Sequence, residues 1–161
     1  MTVITHARRK SRLATMIDSA GGLAVGVALS RARSNIEALR PRGMEELARH
    51  IDALAAIEPP TDAEAAIRTL AQVNRAANHV IDAAAPFDLR EICAVAVSLC
   101  DMVDHASAGD GAFDWRIMAV HIQSLRLLHA LPAEAEAERA RITDRLSDMV
   151  AKKFGRSVQA G

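Results

Sequence analysis

The stretch Asp88-Leu89-Arg90-Glu91-Ile92-Cys93-Ala94-Val95-Ala96-Val97-Ser98-Leu99-Cys100-Asp101-Met102-Val103-Asp104-His105-Ala106 decides the fold class. Wound as an α-helix it has two apolar sides. Ile92, Val95, Leu99, Met102 and Val103 make one; Leu89, Cys93, Val97 and Cys100 make the other. Its polar strip is narrow: Arg90, Glu91, Ser98, Asp101 and His105. A helix apolar around most of its circumference belongs at the centre of a helical bundle. Asp88 is its expected N-cap.

The flanking sequence supplies helices to surround it. Downstream, Ala108-Gly109-Asp110-Gly111 is a loop and Asp114 is the expected cap of a helix starting at Trp115. Trp115, Met118, Ile122, Leu125 and Leu128 form the packing face of that helix, with His121 a polar member. Leu131-Pro132 breaks it. The last helix runs from Ala133 to about Phe154 on a narrow stripe of Ala135, Ile142, Leu146, Met149 and Val150. Glu134, Glu136 and Glu138 at its start and Lys152 and Lys153 at its end suit the macrodipole. Its narrow stripe makes it the expected most exposed helix.

Upstream, Ile67, Leu70, Val73, Ala77, Val80, Ile81 and Ala84 form one buried helix face, ended by Pro86. Thr61 or Asp62 caps it, and Thr61 with Glu64 has capping-box spacing. Pro59-Pro60 closes an earlier helical stripe of Met44, Leu47, Ile51 and Leu54. Before that, Val25, Ala28, Leu29, Ala32, Ile36 and Leu39 share a face of the segment Leu23 to Arg40, which Pro41 and Gly43 end or kink. One long kinked helix or two helices both fit. The expectation is an all-α protein: a single-domain helical bundle of about six helices over 23–154, with no β-sheet. A basic N-terminal arm or short helix over 1–22 precedes it, and a C-terminal tail over 155–161 follows.

Composition agrees with helices. The 161 residues suit one domain, and half of them are hydrophobic, enough for a core. Aromatics are 2% and about one residue in five is Ala, so close-packed helices are favoured over a sheet. Net charge is zero, so the basic excess that nucleic-acid binding needs is missing. No run is long and apolar enough for a membrane span, and the basic start Arg8-Arg9-Lys10 leads into no apolar signal region. Cys93 and Cys100, seven apart on one helix, are about 10 Å apart by helical rise, too far for a disulfide. They read as small hydrophobes in a reducing cytosol, and a cytoplasmic location is expected.

Chemistry rests on histidine, since no Ser/His/Asp or Cys/His spacing marks a nucleophile and the surface carboxylates mean solubility. His121 lies among Ile117, Met118, Leu125 and Leu128, either as a hydrogen-bonded core histidine or as a ligand or switch. His79 falls on a polar row with Arg68, Gln72, Arg75 and Asp82, the placement a phosphotransfer histidine needs. Asp82 one turn on would repel a phosphoryl group, and a solvated face explains the row as well. His6 heads a looser match, His6-Ala7-Arg8-Arg9-Lys10-Ser11, outside the bundle. His50, His105 and His129 have no mutual metal-ligand spacing. No metal and no cofactor are expected, although a metal site built from several helices stays open. Arg8, Arg9, Lys10 and Arg12 are either a solvated arm or an electrostatic handle for an acidic partner.

Several of these residues together carry a resemblance: His6-Ala7-Arg8-Arg9-Lys10-Ser11-Arg12, Gly21-Gly22, Pro86-Phe87-Asp88-Leu89, and Phe113-Asp114-Trp115-Arg116 on through His121 to Leu128. Across most of its length the chain resembles the small helical CheE-type proteins found with chemotaxis genes in alphaproteobacteria. The resemblance implies a bacterial cytoplasmic protein working beside the kinase, response regulators and adaptors of a chemotaxis array. It brings no catalytic residues. The expected function is therefore a non-enzymatic interaction or adaptor protein of bacterial signal transduction, with Arg8, Arg9, Lys10 and Arg12 as partner-binding residues. The alternative is a histidine phosphotransfer module with His79 as phosphoacceptor. A homodimer fits a chain with several apolar stripes.

Overall fold

The computed structural model describes residues 24–108, 113–132 and 134–158, and the side chains of these up to Lys153. Arg8, Arg9, Lys10, Arg12 and His6 lie outside the described residues. Six α-helices and no strand occur among those described: α1 Val25–Ala38, α2 Arg40–Ala55, α3 Ala63–Ala84, α4 Arg90–Ser107, α5 Trp115–Ala130 and α6 Glu136–Val158. A 3₁₀ turn, Ala85–Phe87, follows α3. The chain divides into two compact units, Met1–Glu37 and Ala38–Gly161.

In the second unit α4 packs against α3, α5 and α6, the central position its sequence demands. Ile92, Val95, Ala96, Leu99, Met102 and Val103 are buried along it. The other apolar side is less covered: Leu89, Cys93 and Cys100 are partly buried against the core, and Val97 is exposed. Around α4 the core closes with Leu47, Ile51 and Leu54 of α2, Val73, Ala77, Val80 and Ala84 of α3, Met118, Ile122, Leu125 and Leu128 of α5, and Leu146 of α6. Fully burying a side chain of this kind is worth about 1.5–3 kcal/mol against leaving it in water.

Several local expectations change. The upstream segment is two helices, α1 and α2, meeting at Leu39, with Pro41 in the first turn of α2, where a missing N–H costs nothing. Gly43 does not break the helix. It lies inside α2 because the Phe87 ring occupies the space a Cβ would need. Arg40 lies over that same ring, 5.3 Å from its centroid.

Asp62 is the cap of α3, its side chain accepting from the Ala65 N–H at 2.7 Å. The Thr61–Glu64 capping box does not form; Glu64 pairs with Arg68 at 2.7 Å instead. Asp88 does not cap α4. It takes a left-handed backbone, φ 56°, and its carboxylate binds Arg90, while Leu89 is the N-cap with no side-chain bond. The Arg90 guanidinium holds the Asp88 carboxyl below the usual carboxylate range.

Asp114 caps α5 as expected, accepting from the Arg116 N–H at 2.9 Å. Its carboxylate also pairs with Lys153 of α6, which lowers its pKa. α6 begins at Glu136, three residues later than expected, and runs to Val158, past the expected tail boundary. It is not the most exposed helix. Leu146 and Arg139 on it are buried, whereas α1 buries no residue at all.

Candidate functional site

Among the described residues, three histidine environments and an apolar cleft are places where chemistry or recognition could reside. His121 is the most enclosed. The 3.6-residue period sets it on the inward face of α5 between Ile117 and Leu125, and it is 0% exposed. Its Nδ1 lies 2.8 Å from the Ile117 carbonyl and its Nε2 lies 3.1 Å from Ser98 Oγ on α4. A carbonyl only accepts, so Nδ1 carries the proton. Burial lowers the ring's pKa, a shift that the Ile117 hydrogen bond partly opposes. The ring is therefore neutral, and Nε2 accepts from the Ser98 hydroxyl. Both nitrogens are satisfied, which makes His121 a polar tie between α4 and α5 with no face open to a ligand.

His79 is exposed on α3. Its ring is 5.3 Å from that of His50 on α2, the planes tilted by 51°. His50 Nε2 in turn lies 3.2 Å from Glu46 Oε1, one turn back along α2. Spacing along the chain could not reveal this His50–His79 neighbourhood, because the two residues meet only when α2 packs on α3. Among the described residues no three His, Cys, Asp or Glu side chains gather in a way that could hold a metal ion. His129 has a structural partner: its Nε2 donates to the Met44 carbonyl at 3.1 Å, tying α5 to α2. Arg126 and Asp52 tie the same two helices at 2.9 Å.

The cleft lies where the N-terminal half of α3, the C-terminal end of α4 and the entry to α5 meet. Ala66, Ile67, Leu70, Ala106, Ser107, Phe113 and Trp115 line about 480 Å³. Phe113 and Trp115 meet edge to face, centroids 4.7 Å apart, and form one wall. Ile67 is 73% exposed, although its stripe places it on the buried face. Among the described residues no charged side chain lines the cleft; the Ser107 hydroxyl and the Trp115 indole N–H are the polar groups of its lining side chains. Its volume falls within the range of ligand and side-chain pockets, about 300–1,000 Å³. Such a surface can receive an apolar side chain of a partner.

The cysteines are not poised for reaction. Burial pushes the Cys93 and Cys100 thiols up, with nearby carboxylates adding to it. The Asn78 side-chain amide contacts Cys100 Sγ at 3.8 Å.

One buried charge was not foreseen. Arg139 of α6 is 6% exposed and donates to the Leu128 and Leu131 carbonyls at 2.8 and 3.4 Å. It also reaches Glu91 of α4 at 3.4 Å. The last carbonyls of a helix have no intrahelical partner, and Arg139 satisfies that of Leu128 at the end of α5. Its spacing carries the signal: Arg139 stands four residues after Ala135 and seven before Leu146, on the apolar stripe of α6, whereas Arg141 lies on the opposite side.

Comparison with protein-family models, with curated proteins and with solved structures finds no match for the chain. Among the described residues no helix is long and apolar enough to cross a membrane.

Proposed function

We propose that this chain is a non-enzymatic helical interaction protein of bacterial signal transduction, working in the cytoplasm beside the kinase, response regulators or adaptors of a chemotaxis array. The observation that carries the interaction role is the apolar cleft with Ile67 exposed at its rim. A large exposed apolar side chain beside an aromatic-walled apolar cleft is a docking feature, and an amphipathic partner helix is the usual occupant of such a groove. The chemotaxis setting rests on the resemblance carried by Phe113-Asp114-Trp115-Arg116 and its companion segments. Two of those aromatic residues, Phe113 and Trp115, also form the cleft wall.

Affinity capture of the tagged chain from its native cell, read by mass spectrometry, tests the reading. Recovery of a chemotaxis kinase, response regulator or adaptor is expected, and Ile67→Asp should lose it while the thermal melt is unchanged. Capture that yields none of these proteins removes the chemotaxis assignment. Capture unaffected by Ile67→Asp removes the cleft as the docking surface.

A second reading, phosphotransfer through His79, is favoured by one observation: its imidazole is exposed on a long bundle helix, where another protein's aspartyl phosphate could reach it. Incubation with a phosphorylated receiver domain carrying labelled phosphate should then label the chain but not His79→Ala. Equal labelling of the two, or none, removes this reading.

A further inference from the structure

We infer that His50 of α2 and His79 of α3 form a metal site, a clamp of two imidazoles across the helices for a borderline divalent cation such as Zn²⁺, Ni²⁺ or Cu²⁺. The spacing of the rings is the first support. Their centroids are 5.3 Å apart. A tetrahedral cation held at about 2.0–2.1 Å by a nitrogen of each ring sets two such centroids about 5 Å apart. The helices already stand at the required separation, so only the rings turn about their side-chain bonds. His79 is exposed, which leaves its ring room to turn. Imidazole suits these metals, whereas hard cations such as Mg²⁺ take oxygen ligands.

The surroundings of the pair favour a cation. Glu46 Oε1 lies 3.2 Å from His50 Nε2. A carboxylate there favours a proton on Nε2 and leaves the lone pair on Nδ1, the carboxylate–imidazole–metal arrangement that orients metal-binding histidines. Gly43 of α2 meets the Phe87 ring while His50 meets His79, so α2 and α3 run antiparallel. Glu46 lies between Gly43 and His50, and Asp82 lies between His79 and Phe87. The two carboxylates therefore stand on the same side of the imidazole pair, one from each helix. Of the nearby cations, Arg49 is paired with the other oxygen of Glu46, and Arg75 lies one turn from His79 in the opposite direction from Asp82. The Asp82 charge that opposes a phosphoryl group on His79 attracts a metal ion to the same ring.

Among the described residues no third side chain joins the pair as a ligand, so water completes the coordination. Such an open shell suits reversible binding. A cation held by both rings joins α2 to α3 and stabilises the folded chain by mass action. The inference rests on neither the apolar cleft nor phosphotransfer.

Calorimetric titration of the untagged full chain with Zn²⁺, and in parallel with Mg²⁺, tests it. The expected result is a single saturable Zn²⁺ site, no binding of Mg²⁺, and a Tm that rises with Zn²⁺ alone. His50→Ala and His79→Ala should each weaken Zn²⁺ binding at least about tenfold, because each removes one of two linked ligands. Glu46→Gln should weaken it roughly tenfold through the ring it orients. His105→Ala should bind as the wild type does. Melts without metal show whether each variant folds, and His79→Ala, a surface change, keeps the test decisive if His50→Ala unfolds. Absence of Zn²⁺ binding overturns the inference. So does binding that His79→Ala leaves unchanged, or that His105→Ala weakens as much as His79→Ala.

Discussion

His121 shows how a single residue can be polar, buried and structural at once. Its neutral ring holds two hydrogen bonds, to Ile117 and Ser98, in a site where the charged form is disfavoured by burial. The pH dependence follows from that direction. The folded-state pKa is depressed below the unfolded value of about 6.5, so the unfolded chain takes up the proton first. Stability from this group is complete above about 6.5 and is lost as pH falls through the folded pKa. Denaturant melts at stepped pH should therefore show wild-type stability declining below about 6.5, and His121→Gln should flatten that part of the decline. An identical pH slope in the variant would show that other groups cause it. Gly43 makes a second prediction at this scale. Because Phe87 fills the space of its missing Cβ, Gly43→Ala forces the ring or the helix to shift, and a loss of about 1–3 kcal/mol is expected in a urea melt. At an exposed helical site the same change would stabilise by about 1 kcal/mol, so the sign decides. The sequence reveals only half of this: a glycine near a proline reads as a helix break, because the ring that requires it arrives from residue 87.

At the scale of elements, the apolar periodicity was sufficient to place the helices, and their ends were not. The buried positions of α4 and α5 follow the stripes read from sequence, since a 3.6-residue period survives any choice of cap. Ends depend on single side chains with competing partners. Glu64 could have completed a capping box but binds Arg68. Asp88 could have capped α4, but the 3₁₀ turn before it sends its backbone left-handed and its carboxylate to Arg90. The end of α5 depends on Arg139, a residue of a different helix, which no local pattern could show. Arg139→Met keeps most of the buried stem but leaves the Leu128 carbonyl without its donor. An unsatisfied buried carbonyl costs about 1–3 kcal/mol. A stability loss of that size is expected, together with faster amide exchange in the last turn of α5 and the first turn of α6. Unchanged exchange there would mean that water replaces the guanidinium.

At the scale of the molecule, the all-α class and the central place of the Asp88–Ala106 stretch were legible because composition and periodicity agree. The candidate site was less so. The cleft joins residues from three helices, and Ile67 belongs to a stripe whose other members, Val73, Ala77, Val80 and Ala84, are buried. Its exposure, 73%, is a property of the assembled bundle and not of the α3 period. His79 was legible as exposed, and its neighbour His50 was not.

The distribution of burial gives a last expectation. Among the described residues, all those that are buried lie in the unit Ala38–Gly161, the first in sequence being Leu47. Hydrophobic burial is the dominant favourable term in folding, so that unit's stability should not draw on residues 1–37. A chain beginning at Ala38 is expected to melt in one cooperative transition within about 2 °C of the full chain. A fall in Tm of more than about 4 °C, roughly 1 kcal/mol for a domain of this size, would show that residues 1–37 contribute to the fold of that unit. Calorimetry on the two samples decides between these outcomes.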